Sequence, residues 1–460
     1  MQALVWFRRD LRVQDNPALA AAVASGLPVE AVFVYPSDAD APLAEGSAAR
    51  WYLHASLQAL QQRLARIGIT FRLLRGSENT LLPALCAELP VTHVYWSRLV
   101  DPQQEIRDKR LRKLLEKAGV SCHPFDDDCL VMPGAASKAD GTAYKVFTPF
   151  WRNLRDRLRG TDLTHRLSSI LQPVGPPVAF SPGAVDAIGL RTQHPWHQKL
   201  HAHWEPGERS AQQRLRHFIE EGLNDYAVQR DRPDVDGSSR LSAALHFGEL
   251  SVARVYASVD ELLVHEPEEA ARVSMRRFLA EIGWREFARH ILHAFPKTLS
   301  QSMNPLFDNA GAWESDPGKK KLHAWQRGET GIALVDAGMR QLWETGWMHN
   351  RVRMVAASFL TKNLGIHWRE GARWFEDTLV DADRASNTFG WQWVAGCGTD
   401  AAPYYRIFNP DTQARKFDPE GHYVARWLGD RAPFTPMTDL KLSRARALAR
   451  YQTAIRHAAG

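Results

Sequence analysis

The stretch from Asp381 to Pro410, DADRASNTFGWQWVAGCGTDAAPYYRIFNP, holds the chain's densest set of groups able to do chemistry. Trp391 and Trp393 lie two apart, just after Asp381, Asp383 and Asn387. On a helix, at about 100° per residue, two positions place the indoles roughly 200° apart. One ring then faces inward and the other a cavity. An ordinary core helix has little use for a large indole on each side, because both are hard to bury. A protein that moves electrons and also stacks on a base could use both.

Three further constellations stand out. In Asp236-Gly-Ser-Ser-Arg-Leu-Ser242 a glycine and hydroxyl residues precede a helical pattern. Free backbone N–H groups, hydroxyls and the positive end of a helix dipole suit a pyrophosphate, although an ordinary helix N-cap would read the same way. In Met275–Phe287, Glu281 and Trp284 are three apart and share a helix face. A carboxylate beside an indole could hydrogen-bond and stack on a base, or be a surface acid next to a core tryptophan. In Gly346–Met354, Asn350, Arg353 and Met354 fall on one face while Arg351 points elsewhere. Buried, Arg353 needs a carboxylate partner, and Asp381 is a candidate.

Residues 1–125 must supply a scaffold. Short apolar runs at Ala3–Phe7, Val29–Tyr35, Thr70–Leu74, Val91–Trp96 and Val120–Pro124 alternate with amphipathic stretches such as Arg50–Ile67 and Glu105–Ala118. That alternation predicts βαβ units, a parallel sheet covered by helices on both faces. Neither a GxGxxG nor a Walker A sequence is present, so the sheet alone names no ligand. Residues 126–205 read as an irregular connector, with Val174–Val185 its clearest linker. From 206 to 460 the periodicity is helical, as in Ala211–Glu221, Val273–Ala294, Gly331–Thr345 and Asn350–Leu364. The expected fold class is an α/β N-terminal domain with a parallel, Rossmann-like sheet, followed by an all-α domain.

At 460 residues the chain has room for two or three domains. Its 44% hydrophobic and 24% charged content is that of a soluble protein. The net charge of +6 permits a polyanionic partner. Cys86, Cys122, Cys129 and Cys397 show no CxxC spacing, which excludes a zinc site of the common kind and predicts free thiols. No metal site is expected. With neither a signal-like start nor a long apolar run, the expected location is the cytoplasm.

Together with WFRRDLRVQDNPAL (Trp6–Leu19), YAVQRDRPDVDGSSRLS (Tyr226–Ser242), WREF (Trp284–Phe287), GWMHNRVRM (Gly346–Met354) and GWQW…RIFNP (Gly390–Pro410), the chain resembles the photolyase/cryptochrome family over nearly its whole length. More narrowly it is similar to the bacterial cyclobutane pyrimidine dimer photolyases. The resemblance implies a noncovalent FAD in the helical domain. Tyr226, Ser238, Ser239 and Ser242, with Arg240 and Leu241 in the same segment, would hold its phosphates. Arg353 and Asp381 would pair beside the isoalloxazine, with Asn350 also at the cofactor, Asp383 at its pyrimidine edge and Asn387 near N5. An Asn there, rather than the Asp of plant cryptochromes or the Cys of animal ones, favours repair.

For the substrate, the resemblance implies that Trp284 and Trp393 pack against an extruded dimer, that Glu281 and Asn350 hydrogen-bond it, and that Met354 gives an apolar contact. Base flipping by photolyases is itself a general example of enzymes that take a base out of the stack. Arg230, Arg351 and Arg406 match basic residues of a DNA groove. Trp391, Trp368 and Trp313 match a chain of indoles that brings electrons to the flavin, with Trp325 a near alternative to Trp313. The implied reaction is light-driven electron transfer from reduced flavin to the dimer in UV-damaged DNA, by a monomer. A second, antenna chromophore, whether deazaflavin, folate or another flavin, is a further family trait. Gln103 and Gln104 stand where folate binders carry Asn-Glu, which counts against a folate. The rival is a blue-light photoreceptor of the cryptochrome type without repair. More distant alternatives are a flavoprotein for electron transfer alone and a DNA-binding module without catalysis.

Overall fold

The structure is a computed structural model that describes residues 1–36, 45–159, 161, 163, 166–167, 172–181, 183–191, 195–401, 405–429 and 434–456. Five strands, β1 (Gln2–Phe7), β2 (Val29–Tyr35), β3 (Thr70–Arg75), β4 (Val91–Arg98) and β5 (Ser121–Asp126), form one parallel sheet in the order β3-β2-β1-β4-β5. The central strand β1 is apolar on both faces because both are covered. On one face Val5 and Phe7 join Leu19, Leu57 and Tyr52; on the other Leu4 and Trp6 join Val94, Leu111 and Leu115. The expected runs and strands agree to within one or two residues at each end, and the helices Ser47–Arg66 and Pro102–Lys117 fill the amphipathic stretches between them.

Beyond residue 206 the chain is helical. The long helix Glu269–Ala294 and the helices Ala333–Thr345, Asn350–Ser358, Trp368–Thr378 and Arg384–Ala395 surround two apolar cores. Two of the expected helices are shorter than their periodicity. Glu208–His217 and Asn350–Ser358 each give way to a π-helical turn, at Phe218–Gly222 and Phe359–Asn363. The connector is more ordered than its sequence suggests. It contains the helix Phe147–Arg159, whose Phe150, Trp151, Leu154 and Leu158 pack into the helical core beside Phe287 and Ile282.

The WFRRDLR segment leaves β1 and fastens the sheet to the helices. Leu11 N–H donates to Phe247 O at 3.1 Å and Arg12 Nη1 to Gly248 O at 3.0 Å. Gly248 has φ +67°, and a Cβ there would strike the backbone of Arg9 and Asp10, so close approach requires glycine. Arg12 pairs with Asp127, and Arg254 with Asp15 at 2.7 Å. No helix among the described residues is long and apolar enough to cross a membrane.

Candidate cofactor and DNA-damage site

The helix Arg384–Ala395 is the centre of the site, packed between Glu269–Ala294 on one side and Asn350–Ser358 and Trp368–Thr378 on the other. Asp383 is its N-cap and accepts from Ser386 N–H at 2.8 Å. At its other end the left-handed Gly396 stops it. Its two indoles point apart as the spacing predicts. Trp391 is buried in the core, edge-on to Phe375 and Trp325 at 5.0 and 6.0 Å. It lies so close to Gly371, in the helix that Trp368 begins, that no Cβ would fit there. Trp393, on the far side, is half-buried, stacks on Phe408 at 6.2 Å and has the Arg406 guanidinium 5.3 Å over its ring. Its indole N–H is buried without a partner.

Arg353 donates through Nη2 to both oxygens of Asp381, at 2.9 and 3.2 Å, and through Nε to Met348 O at 2.7 Å. Ser242 Oγ donates to the same carboxylate at 2.6 Å. The Asp236–Ser242 segment is not an ordinary capped helix head. The helix Ser242–Phe247 begins at Ser242, no side chain caps it, and Arg240 is left-handed with φ 49°. Arg240 pairs with Asp236 at 3.1 Å and lies over Trp347 at 5.0 Å, leaving Ser238 and Ser239 ahead of the helix. Tyr226 is buried against Phe218 and Phe278. Asn387 Nδ2 donates to Ala372 O at 3.0 Å. A Cβ added at Gly390, one turn further along, would meet open space.

His349 starts the helix that carries Asn350, Arg351, Arg353 and Met354. Its Nδ1 accepts from Arg351 N–H at 3.2 Å, and burial drives its pKa down to about 4, keeping it a neutral acceptor. Asn350 Nδ2 is 3.9 Å from Met354 Sδ, so the two share a face as expected. Arg351 turns away to Asp231 at 2.7 Å and to the Phe417 ring at 4.3 Å. Across from them, Glu281 is paired with Arg230. Trp284 is stacked on Phe147 with centroids 3.7 Å apart and planes 8° apart.

Asp383 is drawn into a buried ion cluster where the two halves of the chain meet. Arg289 donates to both its oxygens, at 3.4 and 3.2 Å, and to Asp128 at 3.3 Å. Arg9 pairs with Glu45 at 3.0 Å, and His246 lies 3.3 Å from Glu45 and 3.9 Å from Asp383. Burial alone would raise the Asp383 pKa, but Arg289, His246 and Arg9 hold it well below the carboxylate range. Burial and Arg9 push His246 down, yet Glu45 and Asp383 outweigh them and its pKa ends raised. The cluster borders a crevice at the carboxyl ends of β1, β2 and β4, lined by Trp6, Arg8, Tyr35, Asp101 and Gln104. Open α/β sheets bind ligands at such places.

The aromatic chain is continuous in part. Trp368 is buried with its indole N–H on Ser302 Oγ at 3.1 Å, and His367 bridges it to Trp313 at ring distances of 5.7 and 4.7 Å. Trp313 is half-exposed, whereas Trp325 is fully buried. Sequence reasoning missed Phe147, Gln392, Arg289, His246 and Phe408. Gln392, buried between the two indoles, donates to Thr298 O and Gln301 O and accepts from Met303 N–H at 2.8 Å, which fixes the loop bearing Ser302. Only its position in the Trp-Gln-Trp triplet could have drawn attention to it. Phe147, Arg289 and His246 are signalled by nothing local, since their partners lie about a hundred residues away or more, whereas Phe408 meets Trp393 within the same stretch of sequence.

Two family models match: DNA photolyase over residues 3–169, and FAD binding domain of DNA photolyase over 278–436. A deoxyribodipyrimidine photo-lyase of Agrobacterium fabrum is 42% identical, over 92% of this chain and 86% of its own. Cryptochrome-2 of Arabidopsis thaliana is 35% identical over 94% of this chain and 71% of its own. A bacterial class III photolyase from Agrobacterium tumefaciens superposes with a TM-score of 0.87 at 38% identity, covering 99% and 98% of the two chains. Matched by both family models and similar to these proteins over nearly its whole length, this chain belongs to the photolyase/cryptochrome family.

Proposed function

We propose that the protein is a light-dependent DNA-repair lyase that splits cyclobutane pyrimidine dimers using a noncovalent FAD. The reading is carried by the helix Arg384–Ala395, which presents Asn387 and the open face at Gly390 beside the Arg353–Asp381 pair, with a buried indole behind and an accessible one ahead. These groups fit a flavin: hydroxyls of Ser238, Ser239 and Ser242 with Tyr226 and the Arg240–Leu241 backbone for the phosphates, and Arg353, Asp381, Asp383, Asn350 and Asn387 for the ring system. Bound there in its reduced form, FAD would supply the light-driven electron for opening the cyclobutane ring.

The remaining work belongs to the chain. Trp284 and Trp393 clamp the flipped dinucleotide, with Phe147 and Phe408 stiffening the two walls from behind. Glu281 and Asn350 hydrogen-bond its base edges, and Met354 packs against it. Arg230, Arg351 and Arg406 bind flanking phosphates, giving affinity that depends on salt and little on sequence. Trp391, Trp368 and Trp313 relay electrons inward, the half-exposed Trp313 being better placed than Trp325 to exchange with solvent. One copy of the chain carries every group named, which supports a monomer. The crevice beside the ion cluster is the place for a second chromophore.

The decisive experiment exposes irradiated oligonucleotide to the purified protein with its flavin reduced. Dimers disappear under blue light and persist in the dark. Persistence in both, with reduced flavin verified by absorbance, ends the repair reading in favour of a photoreceptor, which the likeness to a plant cryptochrome makes the second reading.

A further inference from the structure

Lysine is almost never fully buried unless paired, yet Lys362 is 1% exposed. It lies in the π-helical turn Phe359–Asn363, a local irregularity of a kind often found at functional sites. Among the described residues it forms no ion pair with a carboxylate. Burial lowers its pKa to about 7, and its amine meets neutral partners: Nζ donates to Arg406 O at 2.8 Å and lies 3.5 Å from the centroid of the Tyr405 ring. It also faces the C-terminal end of helix Arg384–Ala395, where a Cβ on Gly396 would come within 3.5 Å of Nζ. A carbonyl, a ring face and the negative end of a helix dipole together are a cage for a cation.

What this cage holds is the segment Tyr405–Phe408. Ser358, four residues before Lys362 and so on the same helix side, accepts Phe408 N–H through Oγ at 3.1 Å. A carbonyl and an N–H two residues apart are therefore tied to one helix face. From that segment Arg406 reaches over Trp393 and Phe408 stacks on it. A second tie holds the turn itself, where Arg450 Nη2 donates to Lys362 O at 2.6 Å.

We propose that Lys362 is a positioning residue for substrate binding, its buried Nζ pinning the Arg406 carbonyl so that Arg406 and Trp393 form one wall for the damaged dinucleotide. This rests on reading Arg406 and Trp393 as that wall. Lys362→Met keeps the length of the side chain but leaves the Arg406 carbonyl without its donor. Affinity of the FAD-loaded protein for an oligonucleotide with a single dimer should fall about tenfold, the equivalent of one lost buried hydrogen bond. Flavin content and the rate of flavin photoreduction should match the parent. Lys362→Gln, whose amide can still donate, should recover part of the loss.

A double-mutant cycle separates positioning from general structure. In an Arg406→Ala background, Lys362→Met should have no further effect on dimer binding. Additive losses, or parental binding by Lys362→Met, overturn the proposal. So does loss of flavin in both Lys362 variants, which would make the residue a requirement of the whole fold. If Arg406→Ala and Trp393→Ala themselves bind dimer DNA like the parent, the site reading fails instead; if they bind weakly and Lys362→Met does not, only the role of Lys362 falls.

Discussion

Glu45 offers a quantitative test of how the two halves are joined. It lies in the α/β half, pairs with Arg9 at 3.0 Å and contacts His246 of the helical half at 3.3 Å. Burial alone would raise its pKa, but Arg9 and His246 reverse this and bring it from 4.5 to about 2. At about 1.36 kcal/mol per pKa unit, that difference is worth roughly 3 kcal/mol of stability near neutrality. The folded pKa is depressed, so the contribution is complete above 4.5 and is lost as pH falls through about 2. Glu45→Gln should therefore lower the unfolding free energy by about 3 kcal/mol near pH 7. The gap to the parent should narrow steadily in acid. Urea unfolding of both proteins across this range measures it. A neutral-pH difference under about 1 kcal/mol, or one that does not shrink in acid, would refute the electrostatic account of the junction.

Arg289→Met strands Asp128 and Asp383 in the same cluster and should cost about 3–5 kcal/mol, read as a lowered melting temperature that Arg289→Lys partly restores. Arg351→Ala should reduce the slope of log affinity against log salt by about 0.9 and weaken damaged and undamaged DNA alike, as titrations at several salt concentrations would show. Trp391→Phe should block photoreduction of oxidised flavin while chemically reduced enzyme still repairs dimers; bleaching of flavin absorbance and an oligonucleotide assay check the two halves of that statement separately.

Elements with local periodicity were legible in the sequence, and so was the site where it lies within single helices. The five strands could be read because buried parallel strands are short apolar runs, and the opposed orientations of Trp391 and Trp393 because helix geometry is fixed. The Arg353–Asp381 pair followed from the need of a guanidinium taken out of water for a carboxylate, and the structure leaves Arg353 half-buried on a buried Asp381. The helix Phe147–Arg159 was hidden in a polar, irregular region, since its apolar face is completed only by residues near 280–290. The same distance concealed the stacking of Phe147 on Trp284 and the engagement of Asp383 by Arg289. The π turns at Phe218 and Phe359 were invisible because inserting one residue leaves the helical periodicity almost unchanged.

Gln392 has one more implication. Its amide ties the helix bearing both indoles to the 298–303 loop, and that loop in turn holds Trp368 through Ser302. On the proposed function, the inward electron path and the substrate wall thus hang from a single peg. A drift in residue 392 would detune both at once, so natural variation should be more tightly constrained at this glutamine than at either neighbouring indole alone.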